Sequence, residues 1–262
     1  MAHSFDIAFV GSGNLASHLA KNFQKAGHRI LGVSSRRMER AQELAKQLSA
    51  DTLAVDDPKQ LPEAEVYVLA IADDALPNLW QTWTPPNKRA LVLHTSGSVS
   101  LDSIQSLSER TGVLYPLQTF SANRPLDFSE IPCFVEGSDE EVTQTLLELA
   151  KSVSHEVNPL DSERRRTLHL AAVFACNFVN HLYEVASSQL EAQSLSPRWL
   201  LPLITETARK VSDLTPHDAQ TGPARRGDRR VIEAHLRLLD GQPTWQELYK
   251  IISESIYHQF HQ

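Results

Sequence analysis

Residues 5–37 read FDIAFVGSGNLASHLAKNFQKAGHRILGVSSRR, and this stretch decides the fold. A short apolar run, Asp6–Val10, leads into a glycine-rich turn and then into an amphipathic helical pattern over Leu15–Ala26. A second β-branched run follows at Arg29–Val33. Strand, glycine turn, helix and strand in this order are typical of the βαβ unit that binds dinucleotides.

The turn Gly11–Ala16 matches the pattern G-x-G-x-x-A. The first glycine permits a tight turn, the second lets the backbone approach a pyrophosphate, and the small alanine allows close helix–strand packing. The amides and the positive dipole end of the following helix would bind the phosphates. The alternative is a purely structural glycine turn. We predict that the pyrophosphate is bound by Gly11, Ser12, Gly13, Asn14 and Leu15.

The end of the second strand indicates which dinucleotide is bound. Enzymes that use NAD place an acidic residue there, on the ribose 2′-hydroxyl. This chain has Ser34, Ser35 and Arg36 instead, which are two hydroxyls and a guanidinium suited to a 2′-phosphate. We therefore predict NADP(H) as the cofactor. Arg37 either assists or is a solvated residue of the next helix.

Two later strands end in loops that we expect at the same crevice. The segment LAIADDALP places Ala72 and Asp73 beside the nicotinamide half of the cofactor, and Thr95 ends the following strand. Ser96 and Gly97 come next and are candidates for binding a substrate carboxylate or carbonyl. The alternative for this serine-rich loop is turn and helix-capping chemistry.

The order of elements predicts two domains. Buried strands alternating with helices indicate a mostly parallel Rossmann-type sheet of the α/β class in residues 1–157, and an all-helical domain follows in residues 158–262. The predicted strands are Asp6–Val10, Arg29–Val33, Val66–Ile71, Ala90–His94, Gly112–Tyr115 and Pro132–Val135. The predicted helices are Leu15–Ala26, Arg37–Leu48, Ser162–Ala192, Pro197–Leu214, Asp228–Leu239 and Thr244–Phe260.

Composition narrows the range of partners. The net charge of −7 over 262 residues argues against a nucleic-acid or anionic-membrane binder, and no apolar run reaches the ~18 residues of a membrane span. Cys133 and Cys176 lie in no metal-ligand spacing, so we expect no metal site. The first residues lack the basic segment and long apolar run of a secretory signal. We expect a reduced, cytoplasmic protein.

The long helical segment Ser162–Ala192 is apolar almost all round, which predicts burial between domains or subunits. At 100° per residue, four of its polar residues fall within an arc of about 80°. Such a stripe indicates a functional pocket or, alternatively, helix–helix hydrogen bonds satisfied inside the protein. The four residues are His169, Asn177, Asn180 and Glu184.

The loop AQTGPARRGD, residues 219–228, combines a rigid Gly-Pro turn with two arginines. Thr221 and Arg225 are candidates for binding a substrate anion there. The alternative is a capping turn with solvated arginines.

With both halves in view, the chain resembles the group of β-hydroxyacid dehydrogenases and pyrroline-5-carboxylate reductases. It is most similar to a branch of Rossmann-like NADP oxidoreductases through LHTSGS, YPLQTFS, HLAAVFACNFVNHL and TGPARRGD. Thr221 and Pro223 match the reductase loop that holds the substrate carboxylate, although Arg225 replaces a glycine. Asn177 matches an asparagine of the dehydrogenases, whereas Val173 stands at the position of their catalytic lysine.

These observations lead to one main prediction and two alternatives. We expect an NADP(H)-dependent oxidoreductase that reduces a small, anionic carbonyl or imine, with His169 as proton donor and Asn177 as orienter. A non-catalytic NADP(H)-binding or sensor protein is the first alternative, and reduction of NADP by a deazaflavin is the second. The related families form dimers, so we expect a homodimer through the helical domain.

Overall fold

The computed structural model describes residues 3–79, 81–122 and 124–261, and these residues form an eight-stranded sheet followed by helices. The strand order is β3-β2-β1-β4-β5-β6-β7-β8, and every neighbouring pair is parallel except β6 and β7. The strands are β1 (Asp6–Val10), β2 (Arg29–Ser34), β3 (Leu53–Val55), β4 (Val66–Leu69), β5 (Leu91–His94), β6 (Thr111–Pro116), β7 (Cys133–Gly137) and β8 (Val157–Pro159).

Four helices accompany the sheet and the remainder follow it. The first group is α1 (Asn14–Lys25), α2 (Met38–Gln47), the single turn α3 (Leu76–Leu79) and α4 (Glu140–Lys151). The second group is α5 (Ser162–Ala172), α6 (Val179–Glu191), α7 (Leu201–Asp213), α8 (Pro216–Ala219), α9 (Pro223–Arg226), α10 (Arg229–Leu238) and α11 (Pro243–Phe260). This arrangement confirms the predicted fold class, a Rossmann-type mostly parallel sheet followed by an all-α segment.

Both faces of the sheet are buried, as a parallel sheet requires. Along β1 the side chains alternate: Ile7 and Phe9 pack on one face with Phe23 of α1, and Ala8 and Val10 pack on the other. All five are at most 4% exposed. Burying an aromatic or branched side chain contributes about 1.5–3 kcal/mol, so the two faces together stabilise the sheet strongly.

All six predicted strands are confirmed to within two residues at each end, but two strands were missed. β3 and β8 are three residues long and carry no alternating pattern that a sequence could reveal. Strand β8 also reaches Pro159, beyond the point where we expected strands to end.

The predicted continuous helix 162–192 is wrong in one respect. Its central stretch, Val173–Phe178, is a π-helix with i→i+5 hydrogen bonds, which separates α5 from α6. The chain divides into two compact units inside this stretch, one up to Asn177 and the other from Phe178 onward. That geometric division leaves the predicted domain boundary at 157/158 a prediction.

Candidate active site

The turn between β1 and α1 has the geometry of a phosphate-binding loop. Gly11 has a φ of 112°, and a Cβ at this position would lie 2.2 Å from the carbonyl oxygen of Ala70. Glycine is therefore required for both conformation and space. At Gly13 a Cβ would meet nothing within 4 Å, and no side chain caps the amides of α1. The helix N-terminus is thus open to an anion.

A cavity of about 530 Å³ extends from this turn to the ends of β2 and β3. Three arginines line it: Arg36 and Arg37 precede α2, and Arg40 lies on the first turn of that helix. Asp56 is the one acidic residue among the lining residues. Three guanidiniums against one carboxylate give this end of the cavity a positive charge, which favours a phosphate.

Seven of the eleven residues predicted to bind the cofactor line this cavity. They are Gly11, Ser12, Gly13, Ser34, Ser35, Arg36 and Ala72. The other four, Asn14, Leu15, Asp73 and Thr95, lie outside its lining.

Asn14 and the turn after it also anchor a loop that the sequence did not connect with the site. The Asn14 side-chain amide donates to the carbonyl oxygen of Phe120 at 3.0 Å, and His18 Nε2 lies 3.1 Å from the carbonyl oxygen of Ser121. The segment between β6 and β7 is therefore fixed beside the first turns of α1.

The loops after β4 and β5 are joined by a serine–aspartate contact. Ser98 Oγ donates to Asp73 Oδ2 at 2.5 Å. Ser96 Oγ accepts from the amides of Ser98 at 3.1 Å and Val99 at 3.0 Å, so this hydroxyl shapes the turn. The turn chemistry that we kept as the alternative is thus present. The Ser96 hydroxyl already accepts two hydrogen bonds, so it has less hydrogen-bonding capacity left for a substrate.

His94 ends β5 with its side chain completely buried. Its Nδ1 accepts from the Ser96 amide at 3.2 Å, and its Nε2 has no hydrogen-bond partner among the described residues. Burial, reinforced by the positive charge of Arg165, lowers the pKa of His94 from 6.5 to about 4. The ring is therefore neutral at physiological pH and orders the loop rather than exchanging protons.

His169, the predicted proton donor, is hydrogen-bonded to a tyrosine that the sequence did not single out. Tyr115 Oη lies 3.0 Å from His169 Nδ1, and the two rings meet edge to face with centroids 6.0 Å apart. Tyr115 is 8% exposed, and burial raises the pKa of its phenol. The helix α5 therefore brings an imidazole to the carboxyl end of β6.

A buried ion pair fixes the start of α5. Arg165, fully buried, donates from Nη1 to Glu136 Oε2 and from Nη2 to the carbonyl oxygen of Val99 at 2.6 Å. Ser162 adds its backbone amide and hydroxyl to the same carboxylate, at 2.9 and 2.7 Å. The Glu136 carboxylate thus joins α5 to β7, and Arg165 joins α5 to the loop after β5.

The remaining predicted residues lie elsewhere on the chain. Asn177 is exposed and is the last residue of the first unit, inside the π-helix. Thr221 and Arg225 belong to the second unit, where Arg225 donates to the carbonyl oxygen of Gln220 and its guanidinium lies 4.9 Å from the ring centroid of Phe260. Asp228 caps the following helix by accepting from the Val231 amide at 3.2 Å, as a capping turn requires, but Arg225 is partly buried and is not simply solvated as that alternative also expected.

Neither cysteine is paired. Cys133 is buried, which raises the pKa of its thiol to about 12, and Cys176 is exposed. Within residues 3–79, 81–122 and 124–261, no three His, Cys, Asp or Glu side chains are grouped so that they could hold a metal ion. In the same part of the chain no helix is long and apolar enough to cross a bilayer.

Two functional candidates were missed, and they differ in how they could have been found. Arg40 lies on the first turn of α2, only three and four residues after Arg37 and Arg36, so its position in the sequence alone indicates that it lies close to them. Tyr115 is buried in β6 and meets His169, 54 residues away, only after folding. Nothing local in YPLQTFS separates Tyr115 from an ordinary core tyrosine.

Two family profiles match parts of the chain. Residues 6–96 match the family described as NADP oxidoreductase coenzyme F420-dependent, and residues 131–256 match a domain of unknown function, DUF2520. Among curated proteins, glutamyl-tRNA reductase of Legionella pneumophila is 42% identical over 72 residues. That stretch is 27% of this chain and spans only 17% of the relative's length.

Solved structures match over nearly the full length. A candidate NADP oxidoreductase from Bacteroides fragilis is 42% identical, with 97% of this chain and 98% of the other covered and a TM-score of 0.92. A reductive aminase from Aspergillus terreus, in complex with NADPH and ethyl levulinate, is 14% identical, with coverages of 98% and 93% and a TM-score of 0.71. The second likeness shows the fold alone.

Proposed function

The chain belongs to the NADP oxidoreductase family represented by the Bacteroides fragilis structure, and on that premise we propose that it reduces a small carbonyl or imine compound with NADPH. The observation that carries the proposal is the cavity at the phosphate-binding turn, with three arginines where an NAD enzyme has an acid. The two free cysteines agree with a reducing compartment, so we place the activity in the cytoplasm.

In the proposed binding mode, the pyrophosphate lies at the N-terminus of α1 and the 2′-phosphate lies among the arginines. Gly11 and Gly13 give the backbone close access to the pyrophosphate, and Arg36 and Arg40 neutralise the 2′-phosphate. The nicotinamide then extends toward the loops after β4 and β5, where Asp73 and Ser98 are joined. NADPH supplies the hydride when it is bound.

The chain's own contribution to the chemistry is a proton. Hydride addition to a carbonyl or imine carbon leaves negative charge on oxygen or nitrogen, and His169 supplies the proton that neutralises it. Asn177 is proposed to orient the substrate without titrating. An acidic group on the substrate would be bound by Thr221 and Arg225, although the hydrogen bond from Arg225 to Gln220 leaves fewer of its donors free.

Cofactor selectivity is tested by fluorescence titration of NADPH and NADH. Arg36→Ala should weaken NADPH binding by about 1–3 kcal/mol, the scale of a lost charge-assisted hydrogen bond, and leave NADH nearly unchanged. Arg89→Ala, an exposed arginine outside the cavity lining, is the matched control. Equal affinity of the wild type for the two cofactors would rule out the proposed selectivity.

Catalysis is tested by NADPH consumption over a panel of carbonyl and imine compounds. His169→Gln should lower turnover about 10²–10⁴-fold and leave NADPH affinity within a factor of a few. A variant that loses thermal stability but keeps its turnover per folded molecule would show that His169 is a packing residue. Binding of NADPH with no turnover across the panel would favour the non-catalytic module.

A deazaflavin is the second candidate substrate, because residues 6–96 match a family described as F420-dependent. That match covers the part of the chain that holds the phosphate-binding turn and does not extend to His169. Rapid NADP reduction by reduced F420 that survives His169→Gln would support this second candidate against carbonyl or imine reduction.

We also propose a homodimer formed through the helical segment. Large apolar side chains are exposed there in the single chain, with Trp199 at 69%, Leu203 at 64% and Leu238 at 77%. Exposed apolar surface of this kind marks an interaction site. Light scattering at micromolar concentration should give twice the chain mass of 29.3 kDa.

A further inference from the structure

We propose that Tyr115 is a positioning residue for His169: its hydroxyl occupies Nδ1 of the imidazole and makes Nε2 the nitrogen that exchanges a proton with substrate. The inference rests on the proposed role of His169 in reduction. The hydrogen-bonded pair itself can be observed without substrate, so the two claims can be tested separately.

The geometry of the pair is specific. Tyr115 Oη and His169 Nδ1 are 3.0 Å apart, within hydrogen-bond distance, and the rings are inclined at 73°. Tyr115 is almost entirely buried at the end of β6, whereas His169 is partly exposed on α5. A buried phenol therefore holds Nδ1 of a ring that is itself partly exposed.

The phenol can serve both charge states of the ring. Burial raises the pKa of Tyr115, with a smaller opposing effect from the positive charge of Arg165, and the hydroxyl therefore keeps its proton. An O–H buried without an acceptor is costly, so it donates to Nδ1 when the imidazole is neutral. When the ring is charged, the phenol oxygen accepts from Nδ1–H instead, because a tyrosine hydroxyl is both donor and acceptor.

Gly97 provides the space for this pair. A Cβ at Gly97 would lie 2.6 Å from His169 Nδ1 and 2.9 Å from Tyr115 Cε2, far inside van der Waals contact. The Gly97 backbone does not have a positive φ, so its glycine is needed for space and not for conformation. The rings of Tyr115 and His169 therefore occupy the space that a side chain at position 97 would fill.

The helix that carries His169 is held to the same loop. Arg165 lies one turn earlier on α5 and donates to the carbonyl oxygen of Val99, two residues after Gly97. The ion pair to Glu136 fixes Arg165 in turn. The imidazole is thus preorganised by its own helix and by the loop against which it packs.

The proton balance of the proposed step is simple. The charged His169 gives its Nε2 proton to the oxygen or nitrogen that becomes negative as NADPH delivers its hydride to carbon. Directly after the transfer the ring is neutral with its remaining proton on Nδ1, which donates to Tyr115 Oη; this neutral form is the less stable one, because the buried phenol proton then has no acceptor. Solvent then returns a proton to Nε2, and Tyr115 gains and loses none.

The pair is tested first by ¹⁵N NMR of the substrate-free protein labelled at histidine. His169→Gln identifies the signals of His169 by their loss. At a pH where the ring is neutral, we expect the proton on Nε2 in the wild type and a mixture of both tautomers in Tyr115→Phe. An unchanged tautomer in Tyr115→Phe would overturn the inference, whatever the protein proves to catalyse.

Kinetics then tests whether positioning matters to turnover. Tyr115→Phe should lower kcat about 10- to 100-fold, the cost of a misplaced reacting group, and leave the KM for NADPH within about 2-fold. Tyr67→Phe is the matched control, since its buried hydroxyl donates to the carbonyl oxygen of Pro62, at 2.8 Å and away from the pair. Equal losses of kcat in the two variants would overturn the inference.

Gly97→Ala gives a second route to the same disruption without removing the phenol. It should mix the His169 tautomers and lower kcat as Tyr115→Phe does. If Gly97→Ala and Tyr115→Phe both mix the tautomers while His169→Gln keeps full turnover, the pair stands and the proposed catalytic role of His169 fails. Wild-type tautomers and kcat in Gly97→Ala would overturn the steric part of the inference.

Discussion

The two units of the chain bury their apolar residues very differently. In the first unit both faces of the sheet are covered, and the core includes fully buried side chains as large as Trp83, Tyr67 and Phe9. In the described part of the second unit, only Ala224 and Ser253 are buried. The first unit has a hydrophobic core of its own, and the described helices of the second bury no comparable group of apolar side chains.

The distribution of exposed apolar residues supports the same contrast. Among the described residues, three large hydrophobic side chains of the first unit are exposed, Leu53, Leu170 and Phe174, against eleven in the smaller second unit. Since helices gain most of their stability by packing an apolar face, those of the second unit require a covering surface. The difference teaches that the first unit is stabilised by a core of its own, whereas the described helices of the second expose the apolar faces that the proposed dimer would cover.

The largest expected effect is a loss of stability in the first unit when its buried ion pair is removed. Arg165→Met should lower the free energy of unfolding by about 3–5 kcal/mol, because the Glu136 carboxylate loses its cation in a desolvated site. Urea denaturation measures it. Arg164→Met is the matched control, as the neighbouring Arg164 side chain is 78% exposed. Equal losses for the two variants would contradict the role of burial.

The next effect concerns pH and His94. The folded protein holds the pKa of His94 at about 4 against 6.5 when unfolded, so only the unfolded chain binds a proton between these values. Stability should therefore fall as the pH drops from 6.5 toward 4, by about 2 kcal/mol between pH 7.5 and pH 5. His94→Asn, which keeps an acceptor for the Ser96 amide, should lose most of this dependence. The exposed His155 gives the control variant His155→Asn.

An effect of similar size tests association by the second unit. Trp199→Ala should raise the dimer dissociation constant about 30-fold, or about 2 kcal/mol, if this exposed indole anchors the interface. Sedimentation equilibrium measures the change. Leu53→Ala, at an exposed leucine in β3 of the first unit, should leave the constant unchanged. A wild-type monomer at micromolar concentration would disprove the proposed dimer.

The smallest effect compares one helix cap in each unit. Asp139 accepts from the Val142 amide at 2.8 Å at the start of α4, and Asp228 accepts from the Val231 amide at 3.2 Å at the start of α10. Each change to alanine should cost about 1 kcal/mol. In calorimetry, Asp139→Ala should shift only the unfolding of the first unit and Asp228→Ala only that of the second. A single transition shifted by both would show that the units unfold together.

Most of the fold was predictable because most strands of the sheet correspond to short apolar runs that can be recognised locally in the sequence. The buried runs that became β1, β2, β4 and β5 are continuous and are bounded by turns, and the Gly11–Ala16 motif fixes their connection. Strands β3 and β8 were not predicted because three residues are too few to show the alternation of apolar and polar side chains that marks a strand. The π-helix escaped because its i→i+5 bonds are set by packing, with no glycine or proline to mark them.

The candidate site was predictable only in part, for a related reason. The serines and Arg36 follow a strand at a fixed distance from the glycine turn, so spacing alone placed them. Tyr115 and Gly97 acquire meaning only through His169, from which they are 54 and 72 positions distant in sequence. Arg225 could be picked out from the sequence as a cation suited to a substrate anion. The sequence did not show that its guanidinium donates to the neighbouring carbonyl oxygen of Gln220.

The difference in burial between the two cysteines allows one of them to be labelled selectively. Thiolates react and thiols do not, so Cys133, with its pKa near 12 inside the sheet, should ignore a maleimide that modifies Cys176. A fluorophore can therefore be attached at one position without mutagenesis, next to Asn177. The rate of labelling then reports on assembly. A dimer that covers Cys176 would slow the reaction as the protein concentration rises.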